Sequence, residues 1–363
     1  MTKRNIAFLI SSMEIGGAEK ANLALIREFI TMGYNPILLL NSEKGELLSE
    51  VPTECQVINL NLRRTFELPV KLITCIIKYD INILVSNFWK LNLCACIAKL
   101  FFPRMFLLLY EHSPPSKTST SPLYLYSWLS SILYRRATKI FTVSDYVKAD
   151  VLAYTVGLTT KISTMYNPVA LNLKKRDFDS RQARSVDISE LKLIFIGRLE
   201  PDKNLDLLLH SIRLLNNIRK TSLRIVGEGS LRNVLEKRVR DLELIDKVVF
   251  CGFQSDVGKF LLASDILVLS SNLEGLPTVA IEALYCGLGV AAIPIPGGLN
   301  EILEDGKYGS IGDNRSPRAM ADAILHEAER AKSVLSQQDG CKKFAPAFIA
   351  KAFEKKLQFR DNR

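Results

Sequence analysis

A chain of 363 residues, 48% apolar and 24% charged, with a net charge of +10, is long enough for two ordinary cores and too apolar to be disordered. Seven cysteines, at 55, 75, 94, 96, 251, 286 and 341, are odd in number and include no C-x-x-C pair, which excludes a disulfide scaffold and points to a reducing compartment, the cytoplasm. Residues 1–183 carry 22 Lys and Arg against 14 Asp and Glu, while residues 184–363 carry 26 against 24. The surplus therefore sits in the first half; without a zinc-finger, RNP-like or basic-helix pattern it suits an anionic membrane surface better than nucleic acid.

Taken in chain order, Met1–Arg4 leads straight into a short apolar strand with no cleavage site, so no secretory signal is expected. Strands are predicted at Asn5–Ser11, Pro36–Leu40, Gln56–Leu60, Ile81–Val85, Met105–Tyr110, Lys139–Val143 and Lys161–Met165. A helix is predicted over Ala18–Met32, and helical patterns fill most other gaps. The long apolar region Leu91–Tyr110 is broken by Lys99, Pro103 and Arg104, so it reads as a helix and a buried strand, not a bilayer span. Within Ser121–Arg136, Tyr124, Tyr126, Trp128 and Tyr134 precede an Arg pair; such a stripe suits either a headgroup layer or packing on a sheet. Asn172–Glu190 is polar and charged and reads as a linker. Further strands are predicted at Leu191–Ile196, Ser222–Val226, Val248–Phe250, Ile266–Leu269 and Val290–Ile293, and a last helix at Phe344–Phe359.

This alternation predicts an α/β fold of two Rossmann-like, doubly wound parallel-sheet domains facing a cleft. The expected boundaries are 1–171 for the first domain, 172–190 for the linker, 191–343 for the second domain, and 344–363 for a helix returning to the first. Ligands in such folds bind at the carboxyl ends of strands.

The segments with chemistry fall at those ends. Gly16 and Gly17 follow the first strand and open a helix, where backbone amides can approach a phosphate or sugar, although a plain tight turn needs the same residues. His112 follows an apolar strand and either faces the ligand or is a satisfied buried histidine; His210 and His326 lie on amphipathic helices. Arg198 and Lys203 share one strand-to-helix loop, and two cations there can neutralise a diphosphate and stabilise it as a leaving group. Gly227 and Gly229 form another such turn, open either to a nucleotide or to helix packing. Glu274 and Glu282 stand eight residues apart around Pro277, which is expected at the first helical position. The amides of Leu276, Thr278 and Val279 then make an anion site with a carboxylate on either side, a pairing suited to a nucleotide sugar. Cys94-Ala-Cys96 is too thin a pattern for a metal site in a chain with three histidines.

Together these segments resemble the retaining glycosyltransferases of family 4, the group 1 enzymes of GT-B fold. The most specific element is the E-x7-E pair Glu274 and Glu282 with the Gly197-Arg198…Lys203 loop; Gly16-Gly17-Ala18-Glu19, Tyr166-Asn-Pro-Val169, Cys286-Gly287 and Gly297–Glu301 also fit. The resemblance implies that Arg198 and Lys203 bind the donor pyrophosphate, Glu282 the ribose hydroxyls and Glu274 hydroxyls of the transferred sugar. It implies that the amides around Leu276–Val279 hold the distal phosphate, with Gly275, Leu276, Pro277 and Thr278 among the donor-binding residues, that Gly16 and Gly17 serve the acceptor-domain loop, and that His112 lies near the anomeric carbon. No metal and no cofactor are implied; the nucleotide sugar, UDP-linked by family habit, is a substrate. The acceptor implied is a lipid-linked oligosaccharide or a lipopolysaccharide, O-antigen or capsule glycan, met at the inner face of the plasma membrane, and the sugar a hexose or N-acetylhexosamine. Glu111-His112 stands where many members have His followed by Asp, and Leu288-Gly289 replaces a commoner Leu-Pro. A catalytically inactive GT-B subunit, binding within a polysaccharide assembly, is the alternative, but it would be expected to have lost Glu274, Arg198 or Lys203. A dehydrogenase is disfavoured because no G-x-G-x-x-G follows the first strand.

Overall fold

The structure, a computed structural model, describes residues 4–118, 121–170, 190–330 and 334–358; nearly all of the linker predicted at 172–190 lies outside them. The chain forms two compact units, Met1–Val169 with Phe344–Arg363, and Ala170–Lys343.

In the first unit seven parallel strands run in the order β3-β2-β1-β4-β5-β6-β7. They are β1 (Asn5–Ile10), β2 (Asn35–Leu40), β3 (Gln56–Asn59), β4 (Ile83–Asn87), β5 (Phe106–Glu111), β6 (Lys139–Thr142) and β7 (Ile162–Thr164). Parallel strands covered on both faces need continuous apolar runs, and β1 supplies one: Ile6 to Ile10 are fully buried. The helices are α1 (Gly17–Thr31), α2 (Leu68–Lys78), α3 (Trp89–Lys99), the short α4 (Pro115–Thr118), α5 (Leu123–Leu133) and α6 (Asp145–Ala153), the last capped by Ser144, whose Oγ accepts from Val147 N at 3.2 Å. β1 pairs with β2 on one side and β4 on the other, so the winding reverses there and the strand tops between β1 and β4 are a topological switch point.

The second sheet runs β10-β9-β8-β11-β12-β13, again parallel. Its strands are β8 (Leu191–Ile196), β9 (Thr221–Val226), β10 (Val248–Gly252), β11 (Ile266–Leu269), β12 (Gly289–Ala292) and β13 (Ser310–Ile311), and its switch point lies between β8 and β11. Helices α7 (Leu205–Asn216), α8 (Arg232–Asp241), α9 (Gly258–Leu262), α10 (Thr278–Tyr285), α11 (Leu299–Leu303), α12 (Pro317–Glu329) and α13 (Val334–Cys341) cover it. β13 is absent from the sequence reading because two residues between glycines carry no periodicity; only its pairing with Ala291 and Ala292 of β12 defines it.

The tail helix α14 (Pro346–Gln358) packs in the first unit. Phe353 meets Phe29 edge-on at 5.4 Å, stacks on Tyr110 at 6.5 Å and lies tilted against Phe141 at 5.5 Å, and Tyr34 Oη donates to Glu354 at 3.0 Å. Among the described residues no helix is long and apolar enough to cross a membrane. The expected Leu91–Tyr110 pair is α3 followed by β5. Six of the seven cysteines are buried and none is bridged.

Two strands run past their apolar stretch. β4 reaches Asn87 and β5 reaches Glu111, paired through Asn87↔Tyr110, and the added polar residues Ser86, Asn87 and Glu111 are buried. Strand alternation turns Glu111 and His112 to different surroundings. Glu111 Oε1 accepts from Asn92 Nδ2 at 3.1 Å and from the Tyr134 hydroxyl. Burial raises its pKa to about 7, although those two bonds oppose the shift. The folded protein thus holds a proton that the unfolded chain, near 4.5, releases; this stability is complete below that value and lost as pH rises through 7. Glu111→Gln keeps the accepting oxygen and removes the ionisation. It is expected to gain about 1–3 kcal/mol over the wild type at pH 8 and little at pH 4.5 in urea unfolding; an equal effect at both would contradict the buried proton.

Candidate active site

The second unit places Arg198, Lys203, Glu274 and Glu282 around its switch point. β8 ends at Ile196, and Gly197 N donates to Val226 O at 3.0 Å. Gly227, at φ +140°, lies so close that a Cβ would fall 1.9 Å from Gly197 O. Leu199 N bonds Glu228 O at 2.9 Å, and a Cβ on Gly229 would fall 2.6 Å from Leu199 N. The glycines at 227 and 229 therefore seat the Gly197–Glu200 loop, a packing role that the sequence reading did not name. Arg198 itself is exposed. Glu200 accepts from Ser230 N and Oγ at 2.9 and 2.7 Å, and these bonds, with the Arg198 charge, hold its carboxyl below the usual range.

Lys203 closes a 3-10 turn over Pro201–Lys203, and Asn204, at φ +48°, redirects the chain into α7. Its ammonium is largely covered and lies 2.7 Å from Glu274 Oε1 and 3.5 Å from Asp202 Oδ2. Glu274 Oε1 also accepts from Ser271 Oγ at 2.7 Å. A pair 71 residues apart in sequence is thus closed by one ion pair.

The loop bearing Glu274 is held at several points. Glu274 N donates to Pro296 O at 3.0 Å and Gly298 N to Gly275 O at 3.1 Å. A Cβ on Gly297, at φ +139°, would fall 1.8 Å from Glu274 O, so only glycine permits this approach. Arg315 Nη1 donates to Ser271 O at 3.2 Å and Pro294 O at 2.8 Å, while its Nη2 donates to Asn272 Oδ1. Asn272 N bonds Asp202 O at 2.7 Å, and Ser270 Oγ bonds Lys203 O at 2.8 Å. These bonds, most of them between residues far apart in sequence, support a loop with no regular structure of its own. The sequence reading missed Ser271, Asn272 and Arg315; Arg315 follows a glycine-rich turn in a stretch without any motif.

Pro277 is not the first helical residue. It stands one position earlier as the cap (φ −72°, ψ 87°), and Thr278 opens α10, because Ala280 N closes back on Pro277 O at 3.0 Å. The amides of Thr278 and Val279 have no intrahelical acceptor, as in any first turn. Leu276 and Pro277 are buried and Gly275 and Thr278 half-buried. Glu282 falls in the second turn of α10, 7% exposed.

The first unit gathers the remaining candidates. Gly16 caps α1 in an extended conformation (φ −154°), and Gly17 is its first residue. The Glu19 carboxylate lies against Gly16, where an added Cβ would fall 2.2 Å from its Oε2. Burial raises the Glu19 pKa, its own backbone bond lowers it, and nearby Glu14 raises it further. A carboxylate at this helix start repels phosphate and accepts hydroxyls, so the turn suits a sugar better than a diphosphate. His112 lies beyond β5, its Nε2 2.8 Å from Asn87 Oδ1, between the rings of Tyr110 and Phe88 at 5.5 and 5.1 Å. Phe88 has φ +70°, an uncommon conformation for a bulky side chain. Burial lowers the His112 pKa to about 4, so the ring is neutral at neutral pH. His210 is half-exposed beside Asp206, and His326 is exposed and bonded to Ser310 Oγ at 2.9 Å. Among the described residues no cluster of three or more His, Cys, Asp or Glu could hold a metal.

Residues 15–173 match the family described as Glycosyltransferase Family 4, and residues 177–335 match Glycosyl transferases group 1. With two parallel-sheet α/β units whose strand tops carry these residues, the chain belongs to the group 1 (family 4) glycosyltransferases of GT-B fold. It is 25% identical to N-acetylgalactosamine-N,N'-diacetylbacillosaminyl-diphospho-undecaprenol 4-alpha-N-acetylgalactosaminyltransferase of Campylobacter jejuni, over 95% of this chain and 96% of that one. A second Campylobacter jejuni enzyme, a GalNAc-alpha-(1->4)-GalNAc-alpha-(1->3)-diNAcBac-PP-undecaprenol alpha-1,4-N-acetyl-D-galactosaminyltransferase, is also 25% identical, with 95% of each chain covered. In fold it is similar to Anabaena HepE, solved with UDP and glucose, at a TM-score of 0.80 and 19% identity over 98% of this chain and 99% of that one.

Proposed function

We propose that the protein is a retaining, metal-independent transferase that moves a hexose or N-acetylhexosamine from a UDP-linked donor to a lipid-linked or lipopolysaccharide-type glycan. The observation that carries this reading is the Lys203–Glu274 pair at 2.7 Å, on loops that flank the β8/β11 switch point together with Arg198. In support of the reading, cations that suit a diphosphate and a carboxylate that suits sugar hydroxyls stand at the strand tops, where such sheets generally bind ligands. Arg198, Lys203 and the first amides of α10 take the pyrophosphate, Glu282 the ribose and Glu274 the sugar. Retention follows if the leaving phosphate accepts the acceptor's proton on the face it departs from. The names of the Campylobacter relatives support an undecaprenyl-diphosphate acceptor, and the Anabaena complex supports UDP. No resident cofactor is proposed. A panel of UDP- and GDP-sugars tested for protection against thermal unfolding is the direct check: the true donor is expected to raise the midpoint most, because binding only the native state stabilises it. Failure of every sugar nucleotide to do so would refute the donor assignment.

The same reading places the enzyme at the cytoplasmic face of the membrane, docked through α5. Two stripes at four-residue spacing divide that helix and the 3-10 turn Tyr134–Arg136 that follows it. Tyr126, Ser130 and Tyr134 are buried, with the Trp89 ring tilted against Tyr126 at 5.3 Å and its Nε1 donating to Ser130 Oγ at 3.0 Å. Tyr124, Trp128 and Ile132 are 76, 62 and 50% exposed, with Arg135 and Arg136 exposed beyond them. Amphipathic rings beside arginines favour an anionic headgroup layer, about 1 kcal/mol for each cation. Co-sedimentation with anionic vesicles is expected at low salt and is expected to fall with Arg135→Glu/Arg136→Glu; absence of binding, or indifference to that change in a folded protein, would overturn the docking.

A further inference from the structure

We infer that Asn87, held by Asn22, is a positioning residue that fixes His112 as the Nε2–H tautomer and so presents an unprotonated Nδ1 as an acceptor for a ligand hydroxyl.

The inference follows from which atoms can donate. Asn87 Nδ2 donates to the carbonyl of Leu9 at 3.2 Å, and Asn22 Nδ2 donates to the carbonyl of Ala18 at 2.8 Å. Carbonyl oxygens only accept, so neither amide can be turned over without setting oxygen against oxygen. The two amides are also bonded to each other, Asn22 Nδ2 to Asn87 Oδ1 at 3.1 Å and Asn87 Nδ2 to Asn22 Oδ1 at 3.2 Å. Both are buried, at 3 and 1% exposure, which raises the cost of any unmatched arrangement. With its orientation settled, Asn87 turns its oxygen to His112 Nε2 at 2.8 Å. An amide oxygen has no proton to give, so Nε2 must carry one.

A neutral imidazole has a single N–H, and Nδ1 is then a bare acceptor. His112 as a whole is half-buried, and its Nδ1 has no hydrogen-bond partner within the protein. The ring cannot swing away easily, lying between Tyr110 and Phe88. The burial that lowers its pKa keeps the ring neutral, in agreement with the geometry. A bare acceptor selects its ligand by chemistry: a hydroxyl donates to it, whereas a phosphate or carboxylate oxygen would oppose lone pair to lone pair. The inference deepens the glycosyltransferase reading, on which it rests for the identity of that hydroxyl as a sugar's. The chain of bonds also ties His112 to the second turn of α1, the helix opened by Gly16 and Gly17. One amide pair therefore aligns the two sugar-facing elements of this unit.

The test uses the full, uniformly nitrogen-15-labelled chain. Long-range proton–nitrogen correlation resolves its three histidines, and His112→Gln assigns the one of interest. The ligand-free wild type is expected to show a protonated Nε2 and a bare Nδ1 at His112; the opposite assignment overturns the inference, whether or not the donor reading holds. In Asn87→Leu the Nε2–H tautomer is expected to lose its dominance, and an unchanged spectrum would remove Asn87 from the role. Adding the sugar nucleotide that protects most against unfolding, beside its nucleoside diphosphate alone, separates the last step. The Nδ1 signal is expected to move with the sugar present and to stay with the diphosphate alone. The same response to both, or to neither, would overturn the hydroxyl assignment. Turnover in Asn87→Leu is expected to fall about 10- to 100-fold with the donor KM nearly constant, the pattern of a contact strengthened in the transition state.

Discussion

Glu274→Gln is expected to lower turnover by about two orders of magnitude or more while UDP binds as tightly as to the wild type, or more tightly. The carboxylate is expected to matter most when positive charge develops on the sugar, so its loss falls on kcat. The second half of the expectation comes from the ion pair. Lys203 is 2.7 Å from Glu274, so a diphosphate must compete with that carboxylate for the ammonium. A glutamine keeps the accepting oxygen for Ser271 but releases the charge of Lys203. Glu282→Gln should instead weaken donor binding, since its proposed ribose contact is the same in ground and transition states. Steady-state kinetics with UDP calorimetry separates these effects. Normal kinetics in both variants would end the two-carboxylate reading, and weaker UDP binding to Glu274→Gln would end the competition between carboxylate and diphosphate.

The strand alternation was legible because parallel strands buried on both faces must be apolar without interruption, as Ile6–Ile10 and Ile266–Leu269 are. The ends of β4 and β5 were not, for the converse reason. Ser86, Asn87 and Glu111 are polar and fall outside the strands expected at Ile81–Val85 and Met105–Tyr110, yet they stay in the ladder and are buried, Asn87 and Glu111 because Asn22, Asn92 and Tyr134 meet them with hydrogen bonds. Aromatic Ser121–Arg136 was undecidable because both of its stripes are apolar, and only contact with Trp89 shows which one faces inward. Glu274, Arg198 and Lys203 could be picked out because motif residues sit within a few positions of a strand end. Their partners could not: Asn22 meets Asn87 across 65 residues and Arg315 meets Ser271 across 44, distances over which no periodicity operates.

Arg198→Ala and Lys203→Ala are each expected to raise the barrier to transfer by about 2–4 kcal/mol, the scale for removing a charged stabiliser at a leaving group, or about 30- to 1000-fold in rate. The two should not behave alike. Arg198 is exposed, with the Glu200 charge nearby, so its removal is expected to leave the ligand-free protein as stable as before. Lys203 is largely covered and is paired with Glu274 and Asp202, so Lys203→Ala leaves Glu274 with Ser271 alone and two carboxylates without their shared cation. Its folded state should lose stability as well as activity. Lys203→Arg would keep charge but carry a planar fork where a compact ammonium fits between two carboxylates, and is expected to restore stability better than turnover. If these cations neutralise the leaving diphosphate, activity persists in EDTA. Activity abolished by EDTA and recovered with manganese would transfer that work to a metal and refute the assignment of Arg198 and Lys203.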